Sequence, residues 1–280
     1  MAVVGPPAAT VPRAALFVPA DRPDRHAKAF AAGADAVIVD LEDAVAPARK
    51  EEGRAALAET LPDREGPAQV LLRINSPLTG LGRADLDAAR DLRPDAIVVP
   101  KADIDSLAIA AEAGLPLVAL IEGPAALLDA QRIATHPAVA FLFLGPIDLG
   151  AELGVTESPD GNELLFARGQ IVLAAAAAGK PGPLDGPCLA TDDPGALALE
   201  IARARRLGFA GKCCIHPSQV DAVTAGFSPS GEEVEWSRRV LAASEAAEGG
   251  VTTLDGRMID RPVVVRARAI LADDERNDQR

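Results

Sequence analysis

Val118-Ala119-Leu120-Ile121-Glu122-Gly123-Pro124 and Phe141-Leu142-Phe143-Leu144-Gly145-Pro146-Ile147-Asp148-Leu149 decide how this chain is read. Each is a short apolar run that stops at glycine or proline and carries one carboxylate at its end. Runs this short and this apolar predict strands buried on both faces. A carboxylate at the C-terminal end of such a strand sits at the rim of a parallel sheet, where α/β enzymes place their ligands. Two carboxylates from consecutive strands are the smallest protein share of a Mg²⁺ site, because Mg²⁺ takes one or two carboxylates and leaves its other positions to water and substrate oxygens. Glu122 and Asp148 are therefore the candidate metal ligands.

The same beat runs outward from this pair. Ala14-Ala15-Leu16-Phe17-Val18-Pro19 predicts a first strand, with a helix over 23–32 opened by Pro23 and ended by Gly33. The second strand runs from Ala36 into Asp40-Leu41-Glu42-Asp43, and Pro47 starts a helix over 47–59. Gln69-Val70-Leu71-Leu72-Arg73-Ile74-Asn75 is the third strand, before a helix over 82–92. Ala96-Ile97-Val98-Val99-Pro100-Lys101 is the fourth, with Asp103 capping the helix after it. A helix over 124–134 joins the two quoted runs. After Asp148 a longer loop leads to a helix over 162–178. A short seventh strand falls within 180–185, interrupted by prolines. A helix over 194–207 precedes the last strand, Gly211-Lys212-Cys213-Cys214-Ile215-His216-Pro217. Strands alternating with helices imply a parallel sheet, and their number points to a TIM (β/α)8 barrel over 1–226. An open doubly wound sheet loses its main support, since no GxGxxG or P-loop follows the first strand. Beyond 227 the pattern changes to a helix over 232–247, a Gly-rich turn and a last helix to about 271 with a charged, frayed tail. We read 227–280 as a C-terminal helical extension and lid, and 1–12 as a mobile Pro-rich stretch.

Bulk properties narrow the function. The net charge of −13 opposes nucleic acid and anionic membranes as partners, and aromatic residues at 3% leave little for base stacking. Three cysteines, two of them adjacent, fit neither a disulfide framework nor a zinc site. No signal peptide and no membrane-spanning run is read from the sequence, so a cytoplasmic protein is expected.

The predicted strand ends carry Asp40, Glu42, Asp43, Arg73, Lys101, Glu122, Asp148, Asp185 and His216, which a barrel would bring to one rim. For Asp185 a helix-cap or solvated-loop role competes, and for His216 a buried or turn role. Asp40, Glu42 and Asp43 need cations, which Arg73 and Lys101 on neighbouring strands can supply. Arg73 lies where a strand would otherwise want an apolar residue. It is either a structural ion pair with Glu42 or Asp43, or a bidentate clamp on a substrate carboxylate.

Taken in order, Leu16-Phe17-Val18-Pro19-Ala20-Asp21-Arg22-Pro23, Asp40-Leu41-Glu42-Asp43-Ala44-Val45, Arg73-Ile74-Asn75, Pro100-Lys101, Ile121-Glu122, Gly145-Pro146-Ile147-Asp148-Leu149, Gly211-Lys212-Cys213-Cys214-Ile215-His216-Pro217 and Met258-Ile259-Asp260-Arg261-Pro262 resemble the citrate lyase beta subunit-like family. That family sits in the HpcH/HpaI aldolase superfamily, with malyl-CoA and citramalyl-CoA lyases. The resemblance implies a TIM barrel assembled as a homotrimer or hexamer, and Mg²⁺ held at Glu122 and Asp148. It implies a substrate pocket that includes Gly145 and Pro146, and Arg73 on the carboxylate of the acid. Asp260 matches a catalytic acid carried by the C-terminal lid; Asp40, Glu42, Asp43 and Lys101 surround the site. The implied reaction converts a 3-hydroxyacyl-CoA to acetyl-CoA and a 2-oxo acid, or the reverse. Arg22, Arg25 and Lys28, after the first strand, are either the basic cluster for CoA or plain solvated helix charges. Alternatives are a citrate lyase beta subunit served by an acyl carrier protein, a CoA-independent 2-oxo acid aldolase, malate-synthase-like condensation, and thioester hydrolysis. The sequence departs from the family at Gly123, where threonine is frequent, and over the Pro- and Gly-rich stretch 180–186.

Overall fold

A computed structural model describes residues 9–62 and 66–278; the expectation for 1–12 falls mostly outside them. Eight parallel strands close into a barrel in chain order: β1 Ala14–Pro19, β2 Ala36–Asp40, β3 Gln69–Arg73, β4 Ala96–Val99, β5 Leu117–Ile121, β6 Val139–Leu144, β7 Leu184–Asp185 and β8 Gly211–Cys214. The ring closes where Ala15 of β1 meets Cys213 of β8. The TIM barrel read from the sequence is the fold observed.

Alternate residues of each strand fill the interior. Ala36 and Ile38 of β2, Leu71 of β3, Val98 of β4, Leu120 of β5, Phe143 of β6, Leu184 of β7 and Cys213 of β8 make one inward-facing cluster. The residues between them, such as Val37, Val39 and Leu72, point to the helices and are fully buried too. Each such aliphatic side chain contributes about 1.5–3 kcal/mol by leaving water.

Four details of the barrel differ from expectation. The 124–134 helix is two helices, Pro124–Leu128 and Ala130–Ala134, because Asp129 leaves helical geometry at φ −98°, ψ 11°; aspartate competes locally with helical backbone bonding. No long loop directly follows Asp148, which lies inside the helix Pro146–Leu153. β7 has shrunk to two residues between prolines that cannot donate to a ladder. The helix expected over 82–92 begins at Gly80, where the Thr79 hydroxyl accepts the Gly82 N–H.

Contacts divide the chain into two compact units, one ending at Thr224 and the other starting at Ala225. The second unit holds the helix Gly231–Ala246, opened by a Ser230/Glu233 capping box. A hairpin follows, β9 Thr252–Leu254 against β10 Arg257–Ile259. Its turn is Asp255-Gly256, both at positive φ (51° and 73°), which is the strongest short-range hairpin signal and was readable in the sequence. The last helix, Arg261–Asp278, runs past the expected end near 271, so the charged tail is helical through 278. Val240, Ile259 and Ala267 form the core of this unit. No helix among the described residues is long and apolar enough to cross a membrane.

Candidate active site

Glu122 follows β5 and is 3% exposed. Asp148 comes from the first turn of the helix Pro146–Leu153, not from the strand end itself. Pro146 starts that helix, and a carboxylate in a first turn is favoured by the N-terminal end of the helix dipole. Gly145 makes the approach possible: a Cβ there would lie 2.5 Å from the Glu122 Cβ and 3.0 Å from its Oε2. Lys101 enters through its backbone. It holds a left-handed φ of 44°, and its N–H donates to Glu122 Oε1 at 2.8 Å while its side chain is exposed.

Burial pushes the Glu122 carboxyl up to about 7; the Lys101 N–H works against this and Asp148 adds to it. Two carboxylates with hard oxygen donors, one of them reluctant to ionise alone, suit a small divalent cation whose charge would offset both effects. Among the described residues no group of three metal-binding side chains converges, so water and substrate would complete the shell. Asp40, Asp43, Arg73, Glu122, Gly145, Pro146 and Asp148 all line one pocket of about 280 Å³, walled by Phe17, Leu120, Phe143 and Ile147. The residues present fit Mg²⁺.

Arg73 and Asp40 are opposite each other in the β2–β3 register. Arg73 donates from Nε and Nη2 to the two Asp40 oxygens at 2.7 and 2.6 Å, and its guanidinium lies 5.1 Å from the Phe17 ring centre. The ion pair expected with Glu42 is present, but the bidentate partner is Asp40, so the side-on fork of Arg73 is already engaged. Glu42 Oε2 lies 3.2 Å from Arg73 Nη1, yet it is buried without a hydrogen bond. Desolvation pushes its carboxyl up to about 8 against the pull of Arg73. Asp40 also accepts the Glu42 and Ala44 N–H groups at 2.8 and 3.0 Å, which folds the acidic loop back onto the strand. Sequence reasoning missed Lys50. It is 5% exposed, and its ammonium donates to the Leu41 and Glu42 carbonyls at 2.7 and 2.5 Å. This ammonium, rather than that of Lys101, is the second cation bound to the Asp40–Asp43 loop; nothing in its helical context marked it.

The HpcH/HpaI aldolase/citrate lyase pattern matches residues 13–217. The chain belongs to that family. It is 38% identical over 268 residues to a (3S)-malyl-CoA thioesterase of Cereibacter sphaeroides, covering 93% of each chain. It is 39% identical to a citrate lyase subunit beta-like protein of Mycobacterium tuberculosis, covering 91% of this chain and 93% of that one. A crystal structure of protein CitE from M. tuberculosis with magnesium, acetoacetate and coenzyme A is similar at TM-score 0.82 and 37% identity, over 93% of this chain and 97% of that chain. A citrate lyase beta subunit from the same organism, complexed with oxaloacetate and magnesium, matches at TM-score 0.70 and 36% identity, over 78% of this chain and 97% of the other. As a member of this family the protein is an enzyme of the aldolase/citrate lyase type.

Two of the strand-end residues, Asp185 and His216, do not line this pocket. Asp185 is fully buried and faces outward, since its neighbour Leu184 faces in; it pairs with Lys212 at 2.9 Å. His216 is exposed and caps the turn at Pro217–Gln219, with Nδ1 2.7 Å from the Ser218 hydroxyl. Arg22 has its fork on Asp24 at 2.9 and 2.8 Å, whereas Arg25 and Lys28 are exposed. In the second unit Asp260 caps the last helix, accepting the Val263 N–H at 3.3 Å.

Proposed function

We propose that this enzyme is a Mg²⁺-dependent carbon–carbon lyase, which cleaves a 3-hydroxyacyl-CoA of the malyl-CoA or citramalyl-CoA type to acetyl-CoA and a 2-oxo acid. The observation that carries the reading is that Glu122, Asp148 and Arg73 line one pocket. Glu122 and Asp148 would hold the metal, and bound Mg²⁺ supplies Lewis acidity toward the substrate's oxygens. Arg73 orients the acid's carboxylate through the guanidinium edge that Asp40 leaves open, taking the place that Glu42 fills here. In cleavage the 3-hydroxyl gives up its proton, the carbon–carbon bond breaks, and the thioester enolate carbon takes a proton to give acetyl-CoA. Asp260 is our candidate for that proton transfer, and the Glu42 carboxyl, raised to about 8, can store a proton beside Arg73 at neutral pH. Arg22, Arg25 and Lys28 are the proposed CoA contacts. The proposed assembly is a homotrimer or hexamer, with residues from 227 onward acting as a lid and the cytoplasm as its location.

The test is to incubate the enzyme and its Glu122→Ala and Asp148→Ala variants with malyl-CoA, citramalyl-CoA and free hydroxy-oxo acids, with and without Mg²⁺. Acetyl-CoA and 2-oxo acid in equal amounts, lost in both variants, support the reading; full activity in either variant sinks the metal assignment. The thioesterase name borne by a relative favours a second reading, hydrolysis of the thioester. Free CoA with the intact hydroxy acid, and no 2-oxo acid, would select it.

A further inference from the structure

Lys212 is 1% exposed on β8, on the outward face opposite the inward Cys213. Its ammonium is saturated: it reaches Asp185 Oδ2 at 2.9 Å, Glu200 Oε2 at 2.9 Å and the Gly186 carbonyl at 2.7 Å. Burial alone would push this ammonium down, and the two carboxylates hold it above its ordinary value. Asp185 and Lys212 are register partners, but β7 has only two residues and is bounded by prolines, so a ladder cannot fix where the chain goes next. The Lys212 ammonium supplies what the ladder lacks. A second tie, from the buried Gln219 amide to the Cys188 carbonyl at 2.9 Å, holds the same segment further on.

Gly186 is packed directly on the helix that carries Asp148. A Cβ at Gly186 would stand 2.2 Å from Cδ of Pro146 and 3.1 Å from the Leu144 carbonyl oxygen. Pro146 is the first residue of that helix, and Asp148 lies two positions on. We infer that Lys212 is a positioning residue for the reaction: it clamps the Gly186 backbone against Pro146 and so sets where Asp148 presents its carboxylate. The metal-binding half of this inference rests on the proposed role of Asp148; the clamp itself does not.

Three variants test it: Gly186→Ala, which disturbs the contact with every buried charge intact, Lys212→Met, and the conservative Lys212→Arg. Calorimetry with Mn²⁺ reads the affinity of the folded protein, and amide hydrogen exchange reads the segments 145–150 and 186–190 against β2. Outer partners of metal ligands typically cost 10–100-fold in affinity when removed. Gly186→Ala and Lys212→Met should therefore weaken Mn²⁺ binding by about tenfold and speed exchange in both segments while β2 stays protected, and Lys212→Arg should recover part of the loss. A purely stabilising role would lower the urea midpoint and leave Mn²⁺ affinity and the 145–150 exchange at wild-type values, and that overturns the inference. If Lys212→Met fails to fold, Gly186→Ala decides. If the wild-type protein binds no Mn²⁺, the metal reading falls, and unchanged exchange at 145–150 in Gly186→Ala would still sink the clamp.

Discussion

Replacing Glu122 by glutamine should make the metal-free protein more stable at pH 8 and leave it nearly unchanged at pH 5. Glutamine copies the shape of the protonated carboxyl and keeps an oxygen for the Lys101 N–H, now 2.8 Å from Oε1. In the folded state the Glu122 carboxyl titrates at about 7, against 4.5 when exposed, because burial disfavours its charge. Between those values the folded protein holds a proton that the unfolded chain has released. Raising the pH through this window therefore removes stability, and the full cost is present only above the folded value. The shift corresponds to about 3 kcal/mol at 1.36 kcal/mol per pH unit.

The assay is urea unfolding of wild type and Glu122→Gln in chelator, at pH 5 and pH 8, where the difference between the two proteins cancels every other titrating group. The variant should gain about 3 kcal/mol over wild type at pH 8 and under about 1 at pH 5. Adding Mg²⁺ should reverse the order at pH 8, since only the wild-type carboxylate can hold it. Apparent Mg²⁺ affinity of the wild type should fall about tenfold per pH unit below neutrality, where a proton competes for the same oxygens. An equal gap at both pH values would refute the buried, raised carboxyl and with it the electrostatic case for a cation.

Asp40→Ala strips Arg73, only 12% exposed, of both its short ion-pair bonds and frees two loop N–H groups, so it should cost about 3–5 kcal/mol in urea unfolding; a loss under about 1 would mean that Glu42 takes over the pairing. Lys101→Gly should keep the Glu122 contact, because glycine adopts φ 44° without strain, whereas Lys101→Val should lose about 1–3 kcal/mol and weaken Mg²⁺ binding. Charge reversal at Arg25 and Lys28 together should raise the Michaelis constant for the CoA substrate severalfold with kcat unchanged; unchanged kinetics would return both to plain solvated charges. Asp260→Asn should lower kcat while leaving the unfolding free energy in urea within about 1 kcal/mol of wild type, the usual worth of a cap; unchanged kcat would remove Asp260 from the proton transfer.

The strands and the barrel were legible because short apolar runs between helices have few other solutions, and the Glu122/Asp148 pair followed from where those runs stop. What could not be read was phase. Ile38 and Val39 are equally apolar, one facing the barrel interior and the other the helices, and a strand buried on both faces hides which is which. Phase is what sorts the rim set. Counting in twos from the inward residues, Asp40 follows Ile38, Arg73 follows Leu71, Glu122 follows Leu120 and Gly145 follows Phe143, and all four line the pocket. Asp185 follows the inward Leu184 by one, as Lys101 follows the inward Val98 by three. Asp185 accordingly meets Lys212 in the outer layer, and Lys101 reaches the site only by turning its backbone through a left-handed residue. The same count explains why the Arg73 fork meets Asp40: both face inward at the same level, whereas Glu42 is two residues further along a chain that has already left the sheet. For a carboxylate on a strand or directly after it, parity decides whether it faces the interior, whereas Asp148 reaches the pocket from a helix; a buried strand carboxylate of the opposite parity needs an outward cation, the part Lys212 plays for Asp185.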